Sequence, residues 1–263
     1  MRKIDSLDEI KKINFEMLCY MQKVAQKNHI RLMLSGGTLL GAVRHNGFIP
    51  WDDDIDVMLM RRDYDRLIDC IRKDNHPYYK VVTMGNCFSY HFPHAKVVDT
   101  RTYQHERKYL QYSGMGIAID MFPIDYIPAS PENQKRLFHF IDATLYRAYD
   151  FLDTNYREIG IGPEYWGRIL IIRTASRIAE ILSRFVGMKR TEYAAVVIAQ
   201  YREKEIIKSK YVSHVTKVMF EGKEFLAPKG YKVYLSNLYG KNYMELPPEN
   251  KRKPKHALDV GWR

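Results

Sequence analysis

The sequence predicts an α+β fold: a small mixed β-sheet flanked by helices, with a further helical segment. Two observations carry this. Up to about residue 130, short apolar runs ending at glycine or acid alternate with amphipathic stretches; beyond it, helical spacing and basic residues take over. Two closely packed subdomains fit that shift better than two beads on a string. The expected divisions are a core over 1–130, a helical subdomain over 131–215 and a C-terminal segment, 216–263, packing back on the core.

The elements follow in order. Ser6 precedes Leu7, Ile10, Ile13, Met17 (or Leu18), Met21 and Val24, a series that predicts a helix over 5–30, with Glu9 at capping-box distance from Ser6. Arg31-Leu32-Met33-Leu34 stops at Ser35-Gly36-Gly37, which reads as a buried strand feeding a tight turn. Thr38 to Arg44 is a short helix ended by His45-Asn46-Gly47. Asp54 to Met60 alternates acid and apolar residues as a strand does, and Arg62 to Lys73 is a charged helix. Strands are expected near Tyr79–Met84, His94–Val98 and Gly116–Asp120. Helices follow at 131–155, 163–187 and 190–208, then a strand near Val218–Leu226, a helix at Tyr231–Leu238 and a loop-like tail.

Composition narrows the function classes. With 263 residues, 46% apolar and 28% charged, the chain can build a core without disulfides or a structural metal. No apolar run reaches the ~18–20 residues of a membrane span, and Met1 to Glu9 lacks the apolar stretch of a signal peptide. Cys19, Cys70 and Cys87 have no CxxC spacing, which suits a reducing cytoplasm. The 42 Lys+Arg against 31 Asp+Glu leave a charge of +11, which points to an anionic partner.

Three features carry chemistry. Ser35-Gly36-Gly37-Thr38 at a helix start allows close backbone approach and presents free N–H groups, as a phosphate cradle requires. In Trp51-Asp52-Asp53-Asp54-Ile55-Asp56-Val57, an extended backbone puts Asp52, Asp54 and Asp56 on one side, and Asp53 with Ile55 on the other. Three carboxylates on one face within ~14 Å repel one another unless a cation lies between them, and hard divalent ions, Mg²⁺ or Mn²⁺, suit all-oxygen sites. Finally, Gly116 to Ile119 delivers Asp120 at a strand end, with Asp125 following across a proline turn as a weaker candidate. A carboxylate from a separate strand completes the kind of cage that serves in-line phosphoryl displacement.

A glycine pair with Thr38, then an Asp-x-Asp strand and a later lone Asp, resembles the nucleotidyltransferase superfamily. The longer string from Leu34 through Arg44-His45-Asn46-Gly47-Phe48-Ile49-Pro50-Trp51 to Val57 resembles the LicD family, phosphocholine transferases of bacterial surface glycans related to the fukutin group. Tyr239-Gly240-Lys241-Asn242-Tyr243-Met244, Leu246-Pro247-Pro248, Lys251-Arg252 and His256 are similar to that family's C-terminal signature. The resemblance implies a nucleotidyltransferase-type core and a cytoplasmic enzyme that moves phosphocholine, or a related phospho-alcohol, from CDP-choline or another CDP-alcohol. The acceptor would be a glycan or lipid-linked glycan, of teichoic acid, lipopolysaccharide or capsule. Ser35, Gly36, Gly37 and Thr38 would hold the phosphates, Asp54 and Asp56 would ligate metal with Asp52 as an outer ligand or orienting Asp54, and Asp120 would complete the cage and accept the acceptor hydroxyl's proton. Because an unperturbed Asp has a pKa near ~3.9, a metal lowering the hydroxyl's pKa matters more than the base itself.

Other residues keep two readings. Arg44 binds phosphate or offsets the acidic strand; Lys96 binds phosphate or forms a salt bridge. Lys251, Arg252 and His256 are a solvated tail or a nucleotide contact. His91 and His94 lack a companion at ligand spacing. In the 163–190 stretch, Arg168, Arg173, Arg177, Arg184, Lys189 and Arg190 face one Glu180, while Ile169, Ile172, Ser176, Ala179 and Phe185–Val186 make no clean core stripe. Such a helix either lies peripherally on an anionic leaflet or packs on the core with its arginines in water. Two rivals stand beside the main reading: a nucleotidyltransferase acting on RNA or protein, and a non-catalytic membrane-surface protein. Scattered cations without an aromatic platform give no reason to expect nucleic acid.

Overall fold

Helix α1 (Leu7–Lys27) buries Ile10, Ile13, Met17, Leu18, Met21 and Val24, the stripe its spacing predicts. This is a computed structural model, describing residues 2–106, 110–152, 162–252 and 257–263. The capping box does not form: Glu9 instead accepts a hydrogen bond from the Trp262 indole at 3.0 Å and pairs with Arg2. Strand β1 (Arg2–Lys3) precedes α1, and β2 (Met33–Leu34) follows it. Helix α2 (Gly36–His45) ends with Asn46 in the left-handed conformation. Strand β3 (Ile55–Met60) runs into helix α3 (Arg61–Asp74), then come β4 (Tyr79–Val82), β5 (Ala95–Asp99), β6 (Thr102–Glu106) and β7 (Ala118–Ile127).

Strand β7 is longer than expected. The chain does not turn at Pro123 but stays in parallel register with β3 as far as Met60 opposite Ile124. Pairing with β5 stops at Met121, so the missing proline N–H falls where that ladder has already ended.

The helical segment begins with α4 (Pro131–Ile141), passes through a π-helical turn at Asp142–Tyr146 and continues as α5 (Arg147–Leu152). Helix α6 (Pro163–Gly187) buries Ile169, Ile172, Ser176 and Ala179, which do form its core stripe, whereas Phe185 is 67% exposed. The helix expected over 190–208 is absent. In its place are β8 (Tyr193–Ala195), a 3-10 turn at Arg202–Glu205 and β9 (Ile207–Lys208). Ala194 through Ile198 are all buried, and a continuous apolar run that includes Val196, Val197 and Ile198 suits extended backbone enclosed on every side better than a two-faced helix.

After the short helix α7 (Ser209–Val212), β10 (Val215–Phe220) and β11 (Lys223–Pro228) form a hairpin; α8 (Tyr231–Tyr239) and β12 (Ala257–Trp262) complete the chain. The main sheet has the order β10-β11-β2-β3-β7-β5-β4, with β8 and β9 attached to β7, and mixes parallel with antiparallel pairs. The tail is not loop-like throughout, since β12 lies between β1 and β6 in a second sheet. Its pairing partners are far apart in sequence, which is why local reading misses it.

Candidate active site

The glycine bend is fastened to the acidic strand by backbone. The Ser35 N–H donates to the Asp56 carbonyl at 3.0 Å, and the Asp56 N–H donates to Thr38 Oγ1 at 2.9 Å. Gly36 has φ +49°, and a Cβ there would stand 2.9 Å from Asp56 Oδ2; one at Gly37 would stand 2.8 Å from Asp52 Oδ2. Only glycine leaves carboxylates and helix start this close.

The expected alternation of acids begins at Ile55, where the strand begins. Asp52, Asp53 and Asp54 lie ahead of it, and each brings a carboxylate oxygen within 4.8 Å of the others. Asp53, expected on the opposite side, is therefore part of the acidic group. Asp56 stands opposite Asp120 on β7, and Asp120 stands opposite Lys96 on β5, so the three occupy one row across three strands. Lys96 Nζ lies 3.1 Å from Asp120 Oδ1 and 4.7 Å from the centre of the Phe92 ring, and it is buried.

Electrostatics divides the two acids. Burial, then repulsion from Asp54, Asp120 and Asp52, pushes the Asp56 carboxyl well above the usual range. Burial pushes Asp120 up as well, but Lys96 and His94 together outweigh it and hold that carboxyl below the usual range. A hard divalent cation fits this donor set: the site is all oxygen, and crowded carboxylates are relieved by positive charge.

Asp54, Asp56 and Asp120 line a cavity of about 300 Å³ together with Lys96, His94, Phe92, Tyr146 and Tyr149. His94 is a site residue that spacing for metal ligation passed over. Its Nε2 is 3.1 Å from Asp120 Oδ1, and its position two before Lys96 was the available signal.

The remaining expected residues are placed as follows. Arg44 Nη1 donates to the carbonyls of Tyr243 at 3.1 Å and Glu245 at 3.0 Å, while its Nε donates to His45 Nε2, so it anchors the tail. The Arg252 guanidinium lies 5.6 Å from the centre of the Trp51 ring, and its Nε donates to the Pro247 carbonyl. Lys251 is exposed on a 3-10 turn, and His256 lies outside the described residues. Asp125 is away from the acidic row, bonded to Arg61 and to the Ser183 hydroxyl.

Residues 29–138 match the family LicD/FKTN/FKRP, nucleotidyltransferase domain. The chain is 29% identical over 265 residues to a lipopolysaccharide cholinephosphotransferase of Haemophilus influenzae, covering 97% of each chain. An uncharacterized protein of Rickettsia prowazekii is 44% identical over 49 residues, 19% of this chain and 18% of that one. One of Rickettsia typhi matches equally, over 16% of its length.

Proposed function

From the LicD-family domain carried by residues 29–138, we propose that this protein transfers phosphocholine, or a related phospho-alcohol, from a CDP-activated donor to a hydroxyl of a cell-surface glycan. The observation that carries the reading is the row Asp56–Asp120–Lys96 beside a glycine bend, in a chain similar along nearly its whole length to a lipopolysaccharide cholinephosphotransferase.

Asp52, Asp54, Asp56 and Asp120 would hold Mg²⁺ or Mn²⁺, which when bound neutralises diphosphate charge and lowers the pKa of a hydroxyl. The chain's own residues do the rest. Ser35, Gly36, Gly37 and Thr38 leave room for the diphosphate and offer it first-turn N–H donors. Arg252 and Lys251, on the C-terminal tail, would meet the nucleotide. Lys96 and His94 keep Asp120 ionised, so it arrives as an acceptor ready to orient the attacking hydroxyl; with a depressed pKa it is a poor proton store.

The site would work at a membrane surface. No helix among the described residues is long and apolar enough to cross a bilayer. Helix α6 nonetheless leaves Leu170, Ile171, Ile181 and Phe185 at least half exposed on the face opposite its core stripe, continued by Met188. Exposed Lys189 and Arg190 continue that face, and Arg177, also exposed, pairs with Glu180 at 2.7 Å. Arg168, Arg173 and Arg184 are engaged with Glu164, with backbone carbonyls, and with Asp65 and Glu180 respectively. Apolar side chains between cations, on a chain of charge +11, suit an anionic lipid surface on the cytoplasmic side, where a lipid-linked acceptor is presented.

The test is a panel of CDP-alcohols with Mg²⁺ or Mn²⁺, reading CMP release with and without acceptor glycan. CMP release that needs the divalent ion supports the reading. Consumption of ATP or CTP onto RNA or protein, with no CMP from any CDP-alcohol, replaces it.

A further inference from the structure

We propose that Tyr146, Tyr149 and Asp150 form a seat for a quaternary ammonium headgroup on the helical wall of the cavity. The substrate assignment rests on the transferase reading above; the binding chemistry does not.

The cavity has two unlike walls. The sheet supplies Asp54, Asp56, Lys96 and Asp120, and the segment from the π-helical turn through α5 supplies Tyr146, Tyr149 and Asp150. π-Helical turns re-aim side chains and occur often at functional sites. Both tyrosine hydroxyls are bonded to backbone: Tyr146 donates to the Ile198 carbonyl at 3.1 Å and Tyr149 to the His91 carbonyl at 3.2 Å. Each ring is thereby fixed, and what it offers the cavity is aromatic surface rather than a hydroxyl. Tyr149 is also stacked on Phe92, with centroids 6.3 Å apart and planes 26° from parallel.

Aromatic faces already seat cations around this cavity. Lys96 lies over Phe92, and the Arg202 guanidinium lies 4.8 Å from the Tyr146 ring centre. Asp150, exposed on the same wall as the two tyrosines, adds negative charge apart from the acidic row.

A quaternary ammonium donates no hydrogen bond, so ring surface and a nearby carboxylate are what recognise it. A polyol headgroup such as ribitol or glycerol asks for hydroxyl partners, which these two tyrosines have committed elsewhere. With the glycine bend and acidic row engaged on the diphosphate, the headgroup of a CDP-alcohol reaches the opposite wall. The cavity's 300 Å³ is ample for a trimethylammonium group.

The first measurement is direct titration of tetramethylammonium into the full chain, followed by calorimetry or NMR. Binding to the wild type, weakened about tenfold in Asp150→Asn and in Tyr149→Leu but retained in Tyr149→Phe, supports the seat. No binding to the wild type, or equal weakening in Tyr149→Phe and Tyr149→Leu, overturns it. The second compares KM for CDP-choline and CDP-glycerol. Asp150→Asn raising KM about tenfold for CDP-choline alone, at constant kcat, supports the proposal; equal shifts for both donors, or a shift only in acceptor KM, overturn it. Should the wild type release CMP from no CDP-alcohol, the transferase reading fails while the titration still decides the seat.

Discussion

Asp56 and Asp120 stand directly opposite one another on neighbouring parallel strands, although 64 positions separate them in the chain, and just beyond the end of that ladder Arg61, the first residue of α3, is paired with Asp125 of β7 at 2.8 Å. The two pairs serve different ends. The first is crowded with like charge, and the second is neutralised and closed by Ser183. The surroundings thus change from crowded like charge to a closed ion pair within five residues along β7.

Asp54→Asn and Asp56→Asn are expected to lower the rate of CMP release by about 10³-fold or more, since each removes a ligand whose charge stabilisation is several kcal/mol. Thermal melts of the metal-free variants should match or exceed the wild type, because a repelling charge has gone. Near-normal turnover in either would end the metal-cage account.

Gly37→Ala sets a methyl 2.8 Å from Asp52 Oδ2 in backbone that other residues can adopt. Its folding should be close to normal, and the divalent-ion concentration for half-maximal rate should rise at least severalfold. Gly36→Ala adds strain at φ +49°, costing about 1–2 kcal/mol in urea unfolding besides lost activity. An unchanged metal dependence in Gly37→Ala would separate the bend from the site.

Arg61→Met strands the carboxylate of Asp125, which is 1% exposed, and is expected to cost about 3–5 kcal/mol of stability. The folded fraction should keep its KM and kcat at low temperature. Activity lost in proportion beyond unfolding would place this pair in the chemistry after all.

Glu205 is buried beside Tyr234, whose hydroxyl is 3.1 Å from Ser35 Oγ behind the glycine bend. Burial, opposed by the Tyr234 hydrogen bond, pushes its carboxyl up to about 8 from an ordinary 4.5. The folded chain therefore keeps a proton that the unfolded chain releases above about 4.5. Its stabilising contribution is full below that pH, declines as pH rises towards about 8 and is gone above it. Glu205→Gln should flatten this decline and exceed the wild type at pH 8.5 by on the order of a few kcal/mol in denaturant titrations. Parallel pH profiles would show that Glu205 is ionised in the fold.

Leu170→Glu with Phe185→Glu, both on exposed positions, should leave the melting temperature nearly unchanged and abolish co-sedimentation with vesicles containing anionic lipid. Lys189→Ala with Arg190→Ala should remove the salt-sensitive part of that binding. Wild-type protein that stays in the supernatant at low salt would contradict the lipid-surface role.

Local order carried much of this protein. The α1 stripe, the glycine bend, the Ile55–Met60 strand and the left-handed stop at Asn46 are set by neighbours within a few positions, where periodicity and turn chemistry act directly. Reading failed where a partner arrives from far away. Glu9 left its expected cap for Trp262, Pro123 did not break a strand because the β5 ladder had ended, and β8 replaced a helix by pairing with Asp125–Ile127. Motif reading singled out Asp54, Asp56 and Asp120, since acids at strand positions in that order are rare without a use. It passed over His94, whose place two before Lys96 was its signal, and had no hold on Tyr146, Tyr149 or Asp150, which belong to no spacing rule.

By itself, then, the sequence determined which side chains are candidates for chemistry and which short segments hold them, because both depend on covalent order and near neighbours. The tertiary structure decided which acids are crowded and which are neutralised, and which aromatic wall faces them. Those properties depend on distance through space in a poorly solvated interior, and strand pairing together with the packing of the helical segment on the sheet sets that distance.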